Sequence, residues 1–362
     1  MDSSPSPASP ALAQSVAAPQ HGPRPLPLFL NILWRETEGD PALRRRAFAG
    51  LRKYQQAVRQ PGPSSMPCVA TAGPARLLRY GAQKGGHPVV FVPSLINPPQ
   101  VLDLSESRSM LRHMGAAGHD AYLVDWGAPR AQDAALGLDR HVSDRLLPLL
   151  AALPRPPILV GYCLGGGLVL GAAALRLFPA VATIAAPWRF DGFPQADRDL
   201  VTGLWDKANA TCERLGYVPM EVLQSGFWAM DPARTIRKYA AFADAAPGSD
   251  AERAFLAVED WANGGAPLTY AAGRDLFEGF YAANATGSGA WRIDGRAVDP
   301  AALPCPTLSI VSTSDRIAPA AAGPALADQR SLSLGHVGMV VGGRAPDLLW
   351  RPLSQWLSSH GG

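Results

Sequence analysis

The sequence predicts an α/β fold: a mostly parallel sheet with helices on both faces and a mostly helical lid inserted late in the chain. Three observations carry this. From Leu77 onward, short apolar runs alternate with helical stretches, the order that builds a parallel sheet covered on both faces. One such run, ILVGY, passes through Gly161-Tyr162-Cys163-Leu164-Gly165 straight into a small-residue helical stretch. That is a strand-turn-helix of the G-x-S-x-G kind with cysteine in the central place. Between about Pro187 and Leu303 the alternation stops, and this segment holds five of the nine tryptophans.

The elements follow in order. Residues 1–27 are rich in Pro, Ala and Ser, with no basic stretch and no sustained apolar core, and read as a disordered leader. An N-terminal helical segment spans 28–74. Within it Asp40 and Pro41 supply an N-cap and a first-turn proline for a helix through about Arg59. The run Arg44-Arg45-Arg46 reads as a solvated helix face. The α/β core occupies 75–186 and 304–362, with strands at 88–94, 120–127, 158–162, 180–184 and 307–313. After the last of these, the pattern predicts a short helix around 320–327, a strand at 330–334 and a closing helix near 347–357. The lid fills 187–303, where a cover over the catalytic edge of such a sheet belongs.

Composition narrows the function. A net charge of +3 is too small to argue for nucleic acid. The apolar runs are broken by glycines and read as buried strands and helices, with no membrane span. Four scattered cysteines, without a C-x-x-C pair, fit a reduced compartment, and no metal-ligand cluster or phosphate-binding glycine motif appears.

A cysteine at the tip of such a turn needs a base, and the base needs an orienting acid. In this architecture the chain order is nucleophile, acid, histidine. Asp315 follows the strand TLSIVST, and His336 lies in a glycine-flanked loop after the last strand, both at the edge where open α/β sheets bind ligands. Of the seven histidines only His336 follows the acid in a late post-strand loop. Asp125, which ends YLVDWG, precedes the cysteine and reads as a turn-stabilising residue. The amide of Leu164, with that of Leu95 or Ile96 from the loop after an earlier strand, is the expected oxyanion hole.

The blocks VPSLINPPQVLDL, DAYLVDWGAP, GYCLGGG, WRIDGRAVDPAAL, STSDRIAP and GHVGMVVGGRA occur in this order. Together they resemble the polyhydroxyalkanoate (PHA) synthases, most closely the short class III type, over roughly residues 75–358. The resemblance implies an α/β-hydrolase fold with a triad of Cys163, Asp315 and His336. It implies an (R)-3-hydroxyacyl-CoA substrate, a growing polyester chain, CoA as the released product and no other cofactor. It further implies a cytoplasmic site on the surface of polyester granules and a second, non-catalytic synthase subunit as partner. Whether that subunit is needed, and whether the chain forms a homodimer, stays open.

Two features depart from the family pattern: His336 comes only 21 residues after Asp315, and Arg316 stands where the family commonly has histidine. An acyl hydrolase with a cysteine nucleophile remains the alternative, whether thioesterase, polyester depolymerase or dienelactone hydrolase-like. A non-catalytic granule protein on the same fold is the third.

Overall fold

The computed structural model of the chain describes residues 22–59, 62–81 and 86–361. The sheet has eight strands: β1 (Cys68–Ala72), β2 (Ala75–Arg79), β3 (Pro88–Val92), β4 (Asp120–Asp125), β5 (Ile158–Tyr162), β6 (Val181–Ile184), β7 (Thr307–Ser312) and β8 (Asp328–Leu332). Their spatial order is β1-β2-β4-β3-β5-β6-β7-β8. β2 pairs antiparallel with both its neighbours, and all the other pairings are parallel. The central strands β3 and β5 are buried at all five positions, as strands covered on both faces must be. Val90 and Val92 of β3 point into one core cluster, and Val89 and Phe91 into the other. The period of two thus feeds both faces.

The helices are α1 (Leu26–Glu36), α2 (Pro41–Gln56), α3 (Met110–Ala116), α4 (residues 138–151), α5 (Leu164–Leu175), α6 (Gln195–Leu215), α7 (Met220–Met230), α8 (Pro232–Ala243), α9 (Asp250–Ala262), α10 (residues 270–282) and α11 (Arg351–His360). The 187–303 segment is mostly helical, α6 to α10. Among the described residues no helix is long and apolar enough to cross a membrane.

Three expectations need correcting. The 28–74 segment is not helical throughout, because β1 lies inside it and opens the sheet. Its sequence CVATA is an edge strand with Cys68, Val69 and Thr71 exposed and no position fully buried, so it lacks the apolar alternation that marks a strand. The helix expected at 320–327 is a single turn, Ala320–Ala322, stopped by Gly323 and Pro324. Of the expected leader, residues 1–21 lie outside the described residues, and its last two, Leu26 and Pro27, already belong to α1.

The N-terminal hairpin packs on the lid. The Asp40 side chain accepts from the Leu43 amide at 2.8 Å and starts α2. Ala47, Gly50, Leu51 and Tyr54 then form a buried stripe against Ile236, Tyr239 and Ala240 of α8. The crossing is backbone to backbone: a Cβ on Gly50 would fall 1.8 Å from the Tyr239 carbonyl oxygen. Only glycine allows that approach. The arginine run is only partly a solvated face. Arg44 lies over the Trp34 ring at 4.4 Å, and Arg46 pairs with Asp244 just beyond α8.

Candidate active site

β5 ends at Tyr162 and α5 begins at Leu164, so one residue makes the turn. Cys163 takes φ 55°, ψ −130°, a conformation that costs an L-residue on the order of 1–3 kcal/mol and persists only when its surroundings enforce it. Two glycines enforce it by bringing α5 against the sheet. A Cβ on Gly165 would meet the Val92 carbonyl oxygen at 2.1 Å, and one on Gly161 would meet the Gly166 Cα at 2.5 Å. Gly167, by contrast, has open space around it. The Cys163 amide donates to the Ile184 carbonyl at 2.9 Å, which anchors the turn to β6. The half-buried thiol therefore stands at the end of β5 and the start of a helix 12 residues long.

Asp315 and His336 arrive from the loops after β7 and β8. His336 Nδ1 lies 2.7 Å from Asp315 Oδ2, with the carboxyl fully buried. The other carboxylate oxygen accepts from the amides of Ile317 at 2.8 Å and Ala318 at 3.1 Å. The acid thus orients the ring and caps its own loop at once. With Nδ1 committed, Nε2 is left for the cysteine. Burial alone would push the imidazole down; the negative charge of Cys163 and then that of Asp315, with hydrogen bonds to both, raise it to about 10. The ring is therefore held in its imidazolium form near neutrality.

The structure thus brings Cys163, His336 and Asp315 together. Of the expected oxyanion donors, the Leu164 amide is the first of α5, next to the cysteine. The Ile96 amide is spent on Ser94 Oγ at 3.1 Å, which removes it as a free donor. That hydroxyl satisfies it because Ser94 lies in the same turn, two residues back. The Leu95 side chain points away, toward a second cavity beside Trp126 and His141. Asp125 stays apart: it accepts from the Gly127 amide at 3.0 Å and pairs with Arg76, a turn-stabilising role. His87, His119 and His141 are occupied by the Pro156 carbonyl, the Ser354 hydroxyl and the Gly137 carbonyl respectively.

A cleft of about 260 Å³ opens over the cysteine, mostly apolar, with Phe227, Trp228 and Trp261 of the lid forming its roof. Its rim is charged, and sequence reasoning missed this part. Asp231, which caps α8 through the Arg234 amide, faces Arg316 at 3.8 Å. Lys238 pairs at 2.6 Å with the buried Glu259, which also accepts from the Tyr239 hydroxyl at 2.9 Å. Asp231, Lys238 and Glu259 come from a segment with no strand signals, so nothing in the sequence places them at the cleft, whereas Arg316 directly follows the acid. Tyr162 was also missed, although its position beside Cys163 was a usable signal.

No protein-family model matches the chain. By sequence it is similar to the poly(3-hydroxyalkanoate) polymerase subunit PhaC of Haloarcula marismortui, 28% identical over 310 residues, covering 78% of this chain and 65% of the relative. The corresponding subunit of Haloferax mediterranei is 29% identical over 312 residues, covering 79% and 62%. That of Allochromatium vinosum is 28% identical over 308 residues, covering 78% and 85%. The chain therefore spans just under two thirds of the length of the two archaeal relatives. Among solved structures, an AqdC variant described as cleaving the ring of the Pseudomonas quinolone signal superposes with a TM-score of 0.50 at 16% identity, over 79% of this chain and 96% of that one. This last likeness concerns the fold alone. By sequence the chain is similar to the poly(3-hydroxyalkanoate) polymerase subunits, and its architecture is the α/β-hydrolase fold.

Proposed function

We propose that the chain is a PHA synthase, an acyltransferase that polymerises (R)-3-hydroxyacyl-CoA to polyester and releases CoA. Its catalytic groups are Cys163 as nucleophile, His336 as proton carrier and Asp315 as orienting acid. The observation that carries this reading is a cysteine, where hydrolases place serine, at the tip of the elbow facing a buried His–Asp pair.

The chemistry follows from these groups. The Cys163 thiolate attacks the thioester carbonyl, and the oxyanion forms against the Leu164 amide at the N-terminus of α5. The carbonyl re-forms as the C–S bond to CoA breaks, and the imidazolium gives its proton to the departing sulfur. One thioester has replaced another, so little free energy is lost and the acyl group stays activated.

Acylation also removes the cysteine's upward influence on His336, the largest, while burial, which pushes the ring down, remains. The same ring changes from acid to base. It takes the proton of the 3-hydroxyl of the next unit, whose oxygen attacks the acyl-cysteine and forms the ester. Cys163 leaves as thiolate beside a renewed imidazolium. The aromatic roof excludes water, the competing acceptor.

On this reading the protein works in the cytoplasm at the surface of the polyester, with or without a second synthase subunit, and needs no cofactor beyond the CoA its substrate brings. The test is purified protein with (R)-3-hydroxybutyryl-CoA, wild type against Cys163→Ala, following free CoA and sizing the products. Cys163-dependent CoA release with high-mass polyester is expected. Cys163-dependent release of free acid alone, with and without a candidate partner subunit, would make the protein an acyl hydrolase.

A further inference from the structure

The carbonyls around His336 are each claimed by a donor. The Leu334 carbonyl accepts from the Ser312 hydroxyl, that of Gly335 from the Met339 amide at 2.9 Å, and that of Val337 from the Val340 and Val341 amides at 3.1 Å. The carbonyl of His336 itself has one donor among the described residues, the Tyr162 hydroxyl at 3.2 Å. The Tyr162 ring also lies against the imidazole, centroids 5.2 Å apart and planes tilted by 32°. Tyr162 is 3% exposed and directly precedes Cys163 on the rigid end of β5.

From this geometry we infer that Tyr162 is a positioning residue. It holds the His336 backbone through its hydroxyl and the imidazole through its ring face, so that one strand end sets both the thiol and the base. The bond reaches across 174 residues of sequence, from a strand buried at every position to a loop with little regular structure of its own. A charged imidazole against an aromatic face is also favoured electrostatically. The other charged or titratable groups around the ring are Cys163 on the elbow, Asp315 and Arg316 on the loop after β7, and, at the rim, Arg234 and Asp231 from the lid with Lys238 and Glu259 beyond them.

The inference rests on the Cys163–His336 pairing of the proposed reading, but its test needs no acyl-CoA. Tyr162→Phe keeps the ring and removes only the hydroxyl, and Tyr162→Leu removes both. The rate of Cys163 alkylation by iodoacetamide is measured against pH for each full-length variant, beside the wild type, His336→Asn and a Cys163→Ala blank. The His336 ¹³Cε1 shift is followed over the same range, and circular dichroism melting reports the fold.

Loss of one buried hydrogen bond is expected to slow alkylation at pH 7 by about five- to tenfold in Tyr162→Phe. The imidazole should then titrate at lower pH than in the wild type, with the melting profile nearly unchanged. Tyr162→Leu should move further toward His336→Asn. If Tyr162→Phe alkylates and titrates like the wild type, the tyrosine is core packing and the inference fails. Failure of polymer formation with this alkylation pattern intact would overturn the synthase reading and leave the positioning role standing.

Discussion

The elbow and the lid meet at one cleft but are held in place by different means. At the elbow, geometry is set by backbone proximity: α5 lies so close to the sheet that Gly165 has no room for a methyl group, and Cys163 is forced to a positive φ. Over the cleft, one close backbone crossing, Gly50 against Tyr239, is joined by a wide set of side-chain contacts. Glu259 gathers Lys238 and the Tyr239 hydroxyl, and Tyr54 and Arg59 reach Asp260 from the N-terminal segment. Trp228 is shared, since it lines the cleft and meets Phe29 of α1 edge to face at 5.8 Å. The roof of the cleft is therefore buttressed by the first two helices of the described chain. A close-packed turn has no slack and fixes the reacting atoms.

The sharpest way to break this contrast is Gly165→Ala. The new methyl would meet the Val92 carbonyl, so α5 must move off the sheet. We expect a loss of about 3 kcal/mol or more, read as a lower denaturation midpoint, together with loss of Cys163 alkylation.

Gly50→Ala attacks the other region. Its methyl would meet the Tyr239 carbonyl, and overpacking of this kind costs about 1–3 kcal/mol. Hydrogen exchange should quicken in α2, α8 and α9 while the elbow amides keep their protection. Equal loosening of the elbow would show that the two regions are one cooperative unit.

A third prediction sharpens the comparison through pH. His336 is raised in the folded chain from an ordinary 6.5 to about 10. Its stabilising contribution is fully present below about pH 6.5 and is lost as pH rises through about 10. The stability gap between wild type and His336→Asn should therefore narrow across that window, and a gap constant with pH would contradict it. Cys163→Ala removes the leading upward influence and should bring the imidazole titration down. Smallest of the four, Asp40→Ala removes the α2 cap and should cost about 1 kcal/mol, visible in thermal melts with no change at Cys163.

Much of the core was legible because its signals are local. Five-residue apolar runs and the glycine-flanked cysteine each carry their meaning within a short window, and β3, β5, α5 and the loops bearing Asp315 and His336 lie where pattern puts them. β1 was not legible, since an exposed edge strand has no apolar face to betray it. The alanine-rich stretch from Ala320 favours a longer helix, but Gly323-Pro324 stops it after a single turn. The state of the Ile96 amide was illegible for another reason: whether it is free depends on where the Ser94 hydroxyl points, and only the folded loop decides that.

The sequence by itself determined an α/β sheet with a cysteine elbow, the loops that bring Asp315 and His336 to one edge of it, and the presence of a helical insertion. Tertiary structure decided which residues roof and rim the cleft, that α1 and α2 brace the lid, and that Tyr162 touches His336. The division has one physical cause. Periodicity and turn chemistry act between residues a few positions apart. The contacts that shape this site span from about twenty to about two hundred positions and exist only once the chain has folded.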